Sequence, residues 1–354
     1  MDPYRIDSHK LIYHPERVKG WLKGENIYPI YIEIALFGGC NHRCIFCALD
    51  YLKYKPVILD YAALKNFISQ AAESGLKSIM YAGEGEPLLH KRAADIIKFT
   101  KEKGIDVAVT SNAVMLDKDM ANRCLKYLSW FRVSLNAGTP AKYALIHRTH
   151  KRDFNIVIKN IGNAIKIRNS NNYKCTIGVQ FLLIKQNYSD AIKLAITLKD
   201  IGADYLIIKP YSQHPLSENR LKKTLDYDKF GALEEKLRRY ENADFNVVFR
   251  KHTMGKLKEE KPYDTCLGLP FWAYLDAHGD LYACSAFLGK KDFVYGNIHK
   301  QTFRDIWEGQ KRKNIVNKLS KNWDIKKCRE VCRLDEINRY LWNLKNPPPH
   351  INFV

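Results

Sequence analysis

The chain lacks long apolar runs. None of its 354 residues lies in an uninterrupted apolar stretch of the roughly 18 positions that a membrane-spanning helix requires. The first residues, MDPYRIDSHKLIYHPERVKGWL, contain no apolar core of the kind found in secretory signals. These absences argue against an integral membrane protein and against a secreted one. We therefore predict a cytoplasmic protein with no membrane association, in which disulfides are not expected because the cytosol keeps thiols reduced.

Acidic side chains are also scarce relative to basic ones. Lys and Arg number 58 against 38 Asp and Glu, which gives a formal net charge of +20. Such an excess indicates either a lysine-rich solvated surface or an anionic partner. A phosphate-bearing substrate, an acidic protein and RNA all fit the second interpretation.

A local fourth cysteine is missing from the segment CNHRCIFC at residues 40–47. The thiols of Cys40, Cys44 and Cys47 stand close together in the sequence, and the next cysteine is Cys124. Clustered thiols in a reducing compartment indicate metal or iron–sulfur chemistry. Because a structural metal site normally uses four protein ligands, a set of three leaves one coordination position for a ligand that the protein does not supply.

Apolar, β-rich runs alternate with helical patterns over the first 250 residues, and several helical patterns end at a glycine. The six predicted strands occupy residues 31–37, 78–84, 106–112, 130–136, 174–184 and 205–210. Strands that are each followed by a helix form a parallel sheet covered by helices. The predicted fold class is therefore α/β, with an N-terminal extension over residues 1–30 and a partial (β/α)6 TIM-type barrel over residues 31–250.

Polar candidates follow these strands at their carboxyl ends, which is where ligands bind in parallel sheets. The three-cysteine loop follows the first strand, and the segment GEGEP (83–87) ends the second. The remaining candidates at strand ends or inside strands are Asn112, Ser134, Asn136, Gln180, Lys209, Tyr211 and His214. We expect these residues to form one site at one edge of the sheet.

The pattern changes after about residue 250, where a second group of cysteines appears: Cys266, Cys284, Cys328 and Cys332. The segment FWAYLDAHGDLYAC predicts a β-hairpin around HGD. The tail NPPPHINFV cannot be helical, and we expect an extended arm. Residues 251–354 are therefore predicted to form a small α+β extension. A zinc ribbon is the alternative interpretation, but the second short cysteine pair typical of ribbons is missing.

The C-x3-C-x2-C loop after the first strand of a six-unit partial barrel resembles the radical S-adenosylmethionine (SAM) superfamily. The resemblance implies a 4Fe–4S cluster on Cys40, Cys44 and Cys47 whose open iron binds SAM. It also implies reductive cleavage of SAM to a 5′-deoxyadenosyl radical, which abstracts a hydrogen from the substrate. A zinc site on the three cysteines is the alternative.

Further residues carry the resemblance and imply cofactor contacts. Phe46, before the third cysteine, matches the family position beside the adenine. GEGEP resembles the family's glycine- and glutamate-rich segment after the second strand, which presents backbone carbonyls and a carboxylate to the methionyl ammonium. The resemblance therefore implies this role for Gly83, Glu84 and Glu86.

The fourth strand ends in SLN, which resembles the family's S-L-D with Asn in place of Asp. This implies contacts of Ser134 and Asn136 with the ribose or the methionyl end of SAM. Arg148 follows at a distance suited to the methionyl carboxylate. Asn112 and Gln180 complete the expected cofactor-binding set.

The spacing C-x12-G-x4-C from Cys266 through Gly279 to Cys284 resembles the start of the SPASM/twitch extension of many radical SAM enzymes. With Cys328 and Cys332 it implies one auxiliary 4Fe–4S cluster with four protein ligands. Full SPASM domains carry seven cysteines and two auxiliary clusters, and this chain lacks the intermediate cysteines. Alternatively, one of the four thiols is free and donates a hydrogen atom, as in radical epimerases.

The resulting hypothesis is a radical SAM enzyme of the oxidoreductase or epimerase type. We expect a small polar substrate, anionic or hydroxyl-rich and sugar-like or nucleotide-linked, that undergoes dehydrogenation, epimerisation or rearrangement. Lys209, Tyr211 and His214 are the candidate catalytic residues, and an acidic protein such as a flavodoxin is the expected electron donor.

Two other hypotheses remain. A radical SAM maturase or epimerase of a ribosomal peptide often carries a leader-binding winged helix, for which the residues before the first strand are too few. A basic RNA-binding or RNA-modifying iron–sulfur protein would explain the charge. No RNA-binding module is recognisable in the sequence, so we do not expect a nucleic-acid partner.

Overall fold

The computed structural model describes residues 4–221 and 225–353, and this part of the chain is built around one mixed sheet. Its strands are β1 (Tyr31–Ile34), β2 (Ser78–Tyr81), β3 (Asp106–Ser111), β4 (Trp130–Ser134), β5 (Thr176–Leu183), β6 (Tyr205–Pro210), β7 (Asn246–Phe249), β8 (Trp272–Leu275), β9 (Asp280–Tyr282) and β10 (Val294–Asn297). The helices are α1 (Pro15–Leu22), α2 (Tyr61–Glu73), α3 (Ala93–Glu102), α4 (Lys118–Cys124), α5 (Pro140–His147), α6 (Lys151–Ser170), α7 (Ala191–Asp200), α8 (Gly231–Arg238), α9 (Lys251–Gly255), α10 (Phe303–Glu308), α11 (Gln310–Lys321) and α12 (Asp335–Lys345).

The sheet has the strand order β10-β9-β8-β1-β2-β3-β4-β5-β6-β7. Strands β1 to β7 pair in parallel, each with the next along the chain. The six predicted strands are confirmed, although most end a few residues earlier than predicted. The α/β class with a parallel sheet is confirmed with them. The sequence analysis missed β7, which extends the parallel sheet beyond β6.

The predicted hairpin is confirmed as β8 and β9, which pair antiparallel on either side of a turn at Gly279, where φ is +80°. Strand β8 also pairs in parallel with β1, in the register Tyr31 to Trp272. The extension expected from residue 251 onward therefore continues the barrel sheet. Every residue of β8 is buried. This burial is expected for a strand that has neighbours on both edges and both faces.

Side-chain capping hydrogen bonds begin α2, α4 and α10. The carboxylate of Asp60 accepts the N–H of Ala63 and begins α2. Thr139 occupies the N-cap position of α5, with Pro140 as the first helical residue. Its hydroxyl makes no capping hydrogen bond and instead donates to Asp190, so the start of α5 is tied to the segment before α7.

Side chains alternate between the helix-covered outside and the interior of the barrel. On β4, Phe131 and Val133 are buried in the main apolar core, and Arg132 and Ser134 point to the other face. The N-terminal segment lies against the interior face of β6 and β7, where Tyr4 packs on Tyr205 with ring centroids 5.3 Å apart. The barrel interior is thus apolar at one end and carries polar and charged side chains further along.

Other expectations concern packing and the C-terminus. Cys124 and Cys175 are 0% and 2% exposed and lie in the core. Helix α12 ends at Lys345, and the chain from there to residue 353 is non-helical and exposed. Over the ranges that the structure describes, none of the helices combines the length and the apolar character needed to cross a bilayer.

Candidate active site

The three-cysteine loop follows β1 and is held against the end of α5. The Arg43 N–H donates to the His147 carbonyl at 3.0 Å, and the Ile45 N–H donates to the Ile146 carbonyl at 2.9 Å. Burial, together with the nearby Glu86 and Cys47, raises the pKa of Cys40 to about 12. Three partly buried thiols this close together become thiolates when a cation compensates their charge, so the donor set fits a bound metal cluster.

His147 connects this loop to β4 and was not predicted as a site residue. Its Nε2 accepts the backbone N–H of Asn136 at 3.1 Å, so the ring proton resides on Nδ1. Nδ1 lies 3.2 Å from the Cys44 Sγ and donates to it. Burial holds the pKa of His147 well below its usual value, and Tyr143 stacks on the ring at 4.3 Å. The imidazole is therefore a fixed neutral donor to one thiol.

The GEGEP segment needs both of its glycines. At Gly85, where φ is +66°, a Cβ would lie 1.8 Å from the Phe37 carbonyl oxygen. At Gly83, where φ is +103°, a Cβ would lie 1.9 Å from the Tyr274 hydroxyl. Glycine thus lets this segment pack between the cysteine loop and the hairpin. Gly85 was missed by the sequence analysis, although its place between two glutamates was visible.

The two glutamates of this segment face different partners. The Glu86 carboxylate accepts from the Ser111 hydroxyl at 2.7 Å and from the Asn112 N–H at 2.8 Å, and it lies near enough to Cys40 to raise the pKa of that thiol. The Glu84 carboxylate accepts the Ala277 N–H at 2.8 Å and so binds the β8–β9 turn. The role of Glu84 toward SAM stays a prediction, and in this structure one of its carboxylate oxygens binds the hairpin.

Asn112 and Phe46 both border the three-cysteine loop. The Asn112 amide donates to the Asn41 side chain at 2.6 Å and lies 4.0 Å from the Cys40 Sγ. The half-buried Phe46 ring meets His147 edge-on at 5.8 Å. Both residues therefore lie beside the loop at which the cluster and SAM are expected to bind.

The candidates on β4, β5 and α5 separate into different surroundings. Ser134 and Gln180 stand opposite each other in the register of β4 and β5. The Asn136 carboxamide oxygen accepts the Leu182 N–H at 2.6 Å, so its acceptor is used to hold β5. The expected contact of Asn136 with SAM stays a prediction, for which its amide Nδ2 is the remaining donor. Arg148 ends α5 with φ of +47° and lines an open cavity of 620 Å³ beside the cysteine loop.

The four C-terminal thiols converge. Burial raises the pKa of Cys284 well above its usual value, and the other three thiols raise it further. A nitrogen donor lies against each sulfur: Asn338 Nδ2 at 3.8 Å from Cys266, the Ala286 N–H at 3.4 Å from Cys284, Trp323 Nε1 at 3.2 Å from Cys328, and the Leu334 N–H at 3.4 Å from Cys332. N–H donors to sulfur are typical of iron–sulfur ligands, so this set fits a fully protein-ligated cluster.

The loop after β6 contacts the backbone of both cysteine segments. The Ser217 hydroxyl donates to the Cys47 carbonyl at 3.1 Å, and the Asn219 amide donates to the Cys44 carbonyl at 3.4 Å. At its other end, the Ser212 hydroxyl accepts the Val331 N–H at 3.2 Å, between Cys328 and Cys332. We call residues 211–221 the bridging loop because they join the two cysteine segments.

His214 of the bridging loop is a neutral donor. Its Nδ1 accepts the Leu216 N–H at 3.2 Å, which leaves the ring proton on Nε2. Nε2 is buried, and a hydrogen bond to the Ser285 backbone acts to raise the pKa of this residue. Burial, together with Arg329, lowers the pKa of His214 to about 4. At neutral pH this residue can donate a hydrogen bond, but it is not a strong base.

Lys209 and Tyr211 leave the end of β6 toward different surroundings. Lys209 shares the interior face with Tyr205, and burial lowers its pKa well below the usual value. The Tyr211 hydroxyl contacts Gln213, and its ring lines a 490 Å³ cavity beside the bridging loop. Next to burial, Arg329 is the largest influence on the pKa of Lys209, Tyr211 and His214 alike. Arg329 was not predicted as a site residue, although its position between Cys328 and Cys332 in the sequence indicates that it lies near the four-thiol site.

This geometry defines a class of protein: a metalloenzyme with a three-thiol site at the mouth of a β/α barrel and a separate four-thiol site. The model of the Radical SAM superfamily matches residues 34–197, and the model of the SPASM iron–sulfur cluster-binding domain matches residues 266–333. The chain therefore belongs to the radical SAM superfamily and carries a C-terminal SPASM domain. Its cofactors are SAM and 4Fe–4S clusters.

Comparisons with known proteins agree with this family. The chain is 22% identical over 322 residues to the tungsten-containing aldehyde ferredoxin oxidoreductase cofactor-modifying protein of Pyrococcus furiosus, covering 86% of this chain and 88% of that protein. It is 31% identical over 133 residues to an S-adenosylmethionine-dependent nucleotide dehydratase of Flammeovirga pacifica, covering 36% and 45%. The structure of SuiB from Streptococcus suis bound to S-adenosylmethionine shares the fold, with a TM-score of 0.67, 19% identity, and 96% and 80% coverage.

Proposed function

We propose that this radical SAM enzyme dehydrogenates a small polar substrate bound inside the barrel, between the two groups of thiols. The bridging loop carries this proposal, because Ser217 and Asn219 contact the three-cysteine loop and Ser212 contacts the Cys328–Cys332 segment. When bound, SAM and its cluster supply hydrogen-atom abstraction by a carbon-centred radical. The residues of this chain position the cofactor and the substrate.

The four-thiol site supports an oxidative outcome over a redox-neutral one. Four protein ligands leave no iron open to substrate, so the site is suited to electron transfer. A dehydrogenation removes one hydrogen atom, then one electron and one proton, and it needs an electron acceptor. An epimerisation needs a hydrogen donor instead, usually a free thiol. Each of the four sulfurs has a nitrogen donor beside it, which favours four ligands over three ligands and a free thiol.

Relatives support a nucleotide-linked or sugar-like substrate. Besides the nucleotide dehydratase, the matches include a GTP 3′,8-cyclase of Chlorobaculum tepidum, 25% identical over 191 residues and covering 52% of this chain and 56% of that protein. Both names specify nucleotide substrates. Lys209 on the barrel interior and the neutral N–H donor of His214 are suited to an anionic, hydroxyl-rich molecule. We further propose an acidic electron donor such as a flavodoxin, which the net charge of +20 favours.

The test replaces Cys266, Cys284, Cys328 and Cys332 singly by Ala in anaerobically reconstituted enzyme. We expect each variant to lose the auxiliary cluster's EPR signal and about half of its iron. Formation of 5′-deoxyadenosine from SAM should persist, and substrate oxidation should stop. Cys175→Ala is the matched control, because this thiol is buried in the core and should leave both clusters intact.

Two other results would contradict the proposed dehydrogenation. If one of the four variants keeps both clusters and accumulates a substrate radical, that cysteine is a hydrogen donor and the enzyme is an epimerase. If the as-isolated anaerobic protein contains zinc in place of iron at the four-thiol site, electron transfer by that site is excluded.

A further inference from the structure

Three aromatic rings pack together beside the four-thiol site. The rings of Phe287 and Phe293 stack at 4.2 Å, and Trp323 meets them edge-on at 5.2 Å and 5.3 Å. The Trp323 Nε1 donates to the Cys328 Sγ at 3.2 Å. The Phe287 N–H donates to the Cys284 carbonyl at 3.3 Å. Direct hydrogen bonds therefore join this aromatic cluster to two of the four cysteines.

Trp323 is the ring of this cluster that reaches the surface. Phe287 and Phe293 are 8% and 7% exposed, whereas Trp323 is half-buried. The indole thus contacts a cysteine sulfur through its N–H, and another part of the same side chain contacts solvent. A single side chain therefore spans the distance between the four-thiol site and the outside of the protein.

Exposed lysines are concentrated on the two chain segments that carry Phe293 and Trp323, residues 290–293 and 318–327. They are Lys290, Lys291, Lys318, Lys321, Lys326 and Lys327. These segments hold only two carboxylates, of Asp292 and Asp324, so the excess of positive charge is larger here than the 58 to 38 of the whole chain. Among the described residues, none of the six lysines forms an ion pair, so their charge is available to a partner.

Backbone hydrogen bonds hold both groups of lysines close to the rings. The Lys290 N–H donates to the Phe287 carbonyl at 3.1 Å, and the Lys290 carbonyl accepts the Phe293 N–H at 3.0 Å. The Lys327 N–H donates to the Asp324 carbonyl at 3.1 Å, in the turn directly after Trp323. We call Trp323 and the six lysines the tryptophan face.

We infer that the tryptophan face is the docking site of an acidic one-electron carrier protein of the flavodoxin type. A positive surface attracts an acidic partner and speeds its association. An aromatic side chain with charged residues around it is also the usual composition of an interface core and its rim. Docking here brings the carrier next to the side chain that contacts Cys328.

The oxidised carrier then serves as the final electron acceptor. One electron passes from the reduced four-thiol cluster to the flavin of the docked carrier, and no covalent bond forms or breaks. The inference rests on the proposed function, in which this cluster accepts the electron that the substrate loses. It deepens that proposal by assigning the surface through which the electron leaves the enzyme.

The test measures binding of a purified, oxidised bacterial flavodoxin to the anaerobically reconstituted enzyme. Isothermal titration calorimetry at an ionic strength of about 50 mM keeps charge attraction strong, and the affinity should fall as salt is added. Lys290→Glu/Lys326→Glu reverses two charges of the tryptophan face and should weaken binding by about tenfold or more. Lys159→Glu/Lys166→Glu is the matched control, because both lysines are exposed on α6 and the net charge changes equally. Its affinity should stay within about twofold of the wild type.

A kinetic measurement reports the electron transfer itself. Stopped-flow absorbance follows the reoxidation of dithionite-reduced enzyme by oxidised flavodoxin, which should slow by about tenfold in Lys290→Glu/Lys326→Glu. Reoxidation by an uncharged quinone should not change, because it needs no charged docking surface. Iron content and far-UV circular dichroism show whether each variant remains folded and loaded.

Three outcomes would overturn the inference. The first is failure of the wild-type enzyme to bind flavodoxin at about 100 μM. The second is an equal loss of affinity in the two double variants, which would trace binding to the net charge of the whole protein. The third is binding of a uridine oligonucleotide in place of flavodoxin, lost in Lys290→Glu/Lys326→Glu, because an aromatic ring among lysines also suits single-stranded RNA. Binding needs no turnover, so its failure leaves the proposed dehydrogenation standing, and failure of the dehydrogenation in the cysteine variants leaves the binding result standing.

Discussion

Replacing Glu86 by glutamine tests how the GEGEP segment supports the three-cysteine loop. One carboxylate oxygen accepts from the Ser111 hydroxyl at 2.7 Å and from the Leu88 N–H at 3.1 Å, and the other accepts from the Asn112 N–H at 2.8 Å. Glutamine retains one acceptor oxygen and puts an amino group, which cannot accept, in place of the other. In either orientation one backbone N–H loses its acceptor.

The structure sets the magnitude of the loss. A buried donor left without a partner costs about 1–3 kcal/mol. Burial raises the pKa of Glu86, so removing its charge also relieves a desolvation cost and offsets part of the loss. We therefore expect Glu86→Gln to lower the free energy of unfolding by about 1–2 kcal/mol. The side chain of Asn112 contacts Asn41 in the cysteine loop, so the disturbance reaches the cofactor-binding region.

Two measurements check this prediction. Urea unfolding followed by tryptophan fluorescence gives the stability, and anaerobic equilibrium dialysis gives the affinity for SAM. If Glu86 binds the methionyl ammonium, the glutamine variant should bind SAM about tenfold more weakly or worse. Glu84→Gln is the matched control, because its carboxylate binds the Ala277 N–H of the hairpin. We expect its SAM affinity to stay within about twofold of the wild type.

Unchanged SAM affinity in Glu86→Gln, together with reduced stability, would reduce Glu86 to a structural residue. Loss of SAM binding in Glu84→Gln with an intact cluster would refute the placement of the two carboxylates on opposite sides of the segment.

Three further outcomes follow from the site. Replacing Cys40, Cys44 and Cys47 together by Ala should lower the iron content from about eight to about four per chain and abolish SAM cleavage, whereas zinc in the as-isolated anaerobic protein would contradict the cluster assignment. His147→Phe removes the donor to Cys44. Because that N–H stabilises the reduced, more negative cluster by about 1 kcal/mol more than the oxidised one, the midpoint potential should fall by about 40 mV. An unchanged potential in an EPR-monitored titration would argue against this hydrogen bond. Burial, together with the nearby Glu84, raises the pKa of Asp276 to about 7, so the folded state holds a proton that the unfolded state releases, and the stability falls as the pH rises toward 7. Asp276→Asn should flatten this fall in thermal midpoints measured between about pH 5.5 and 7.5. Parallel curves for the variant and the wild type would contradict the prediction.

The periodic parts of the fold were predictable from the sequence because they depend on local patterns. Alternating apolar runs and helical spacings predicted β1 to β6 within a few residues, and the HGD turn predicted the β8–β9 hairpin. The three-cysteine spacing predicted the cluster site for the same reason, since its ligands lie within eight residues of sequence. GEGEP was predicted as a site segment from its place at the end of the second strand and from its resemblance to the family's segment there.

Residue partners across the chain were not predictable from local patterns. Glu84 and Glu86 are equivalent in the sequence, but the turn of a hairpin about 190 residues away takes one of them and the segment after β3 takes the other. The pairing of β8 with β1 depends on the same long-range closure of the sheet. Such contacts are set by how the sheet closes, which no local spacing encodes.

By itself, the sequence determined the family and the alternation of strands and helices, because motifs and periodic patterns within short segments indicate both. It also determined the two groups of thiols, the second of which extends from Cys266 to Cys332. Tertiary structure alone decided which side chains meet at the barrel mouth. Only folding brings His147 against Cys44 and carries Arg329 from the SPASM domain to the Ser212 carbonyl of the bridging loop. The physical reason is that charge and hydrogen-bond complementarity depend on distance in space, and residues more than 100 positions apart become neighbours only when the sheet and its C-terminal extension pack together.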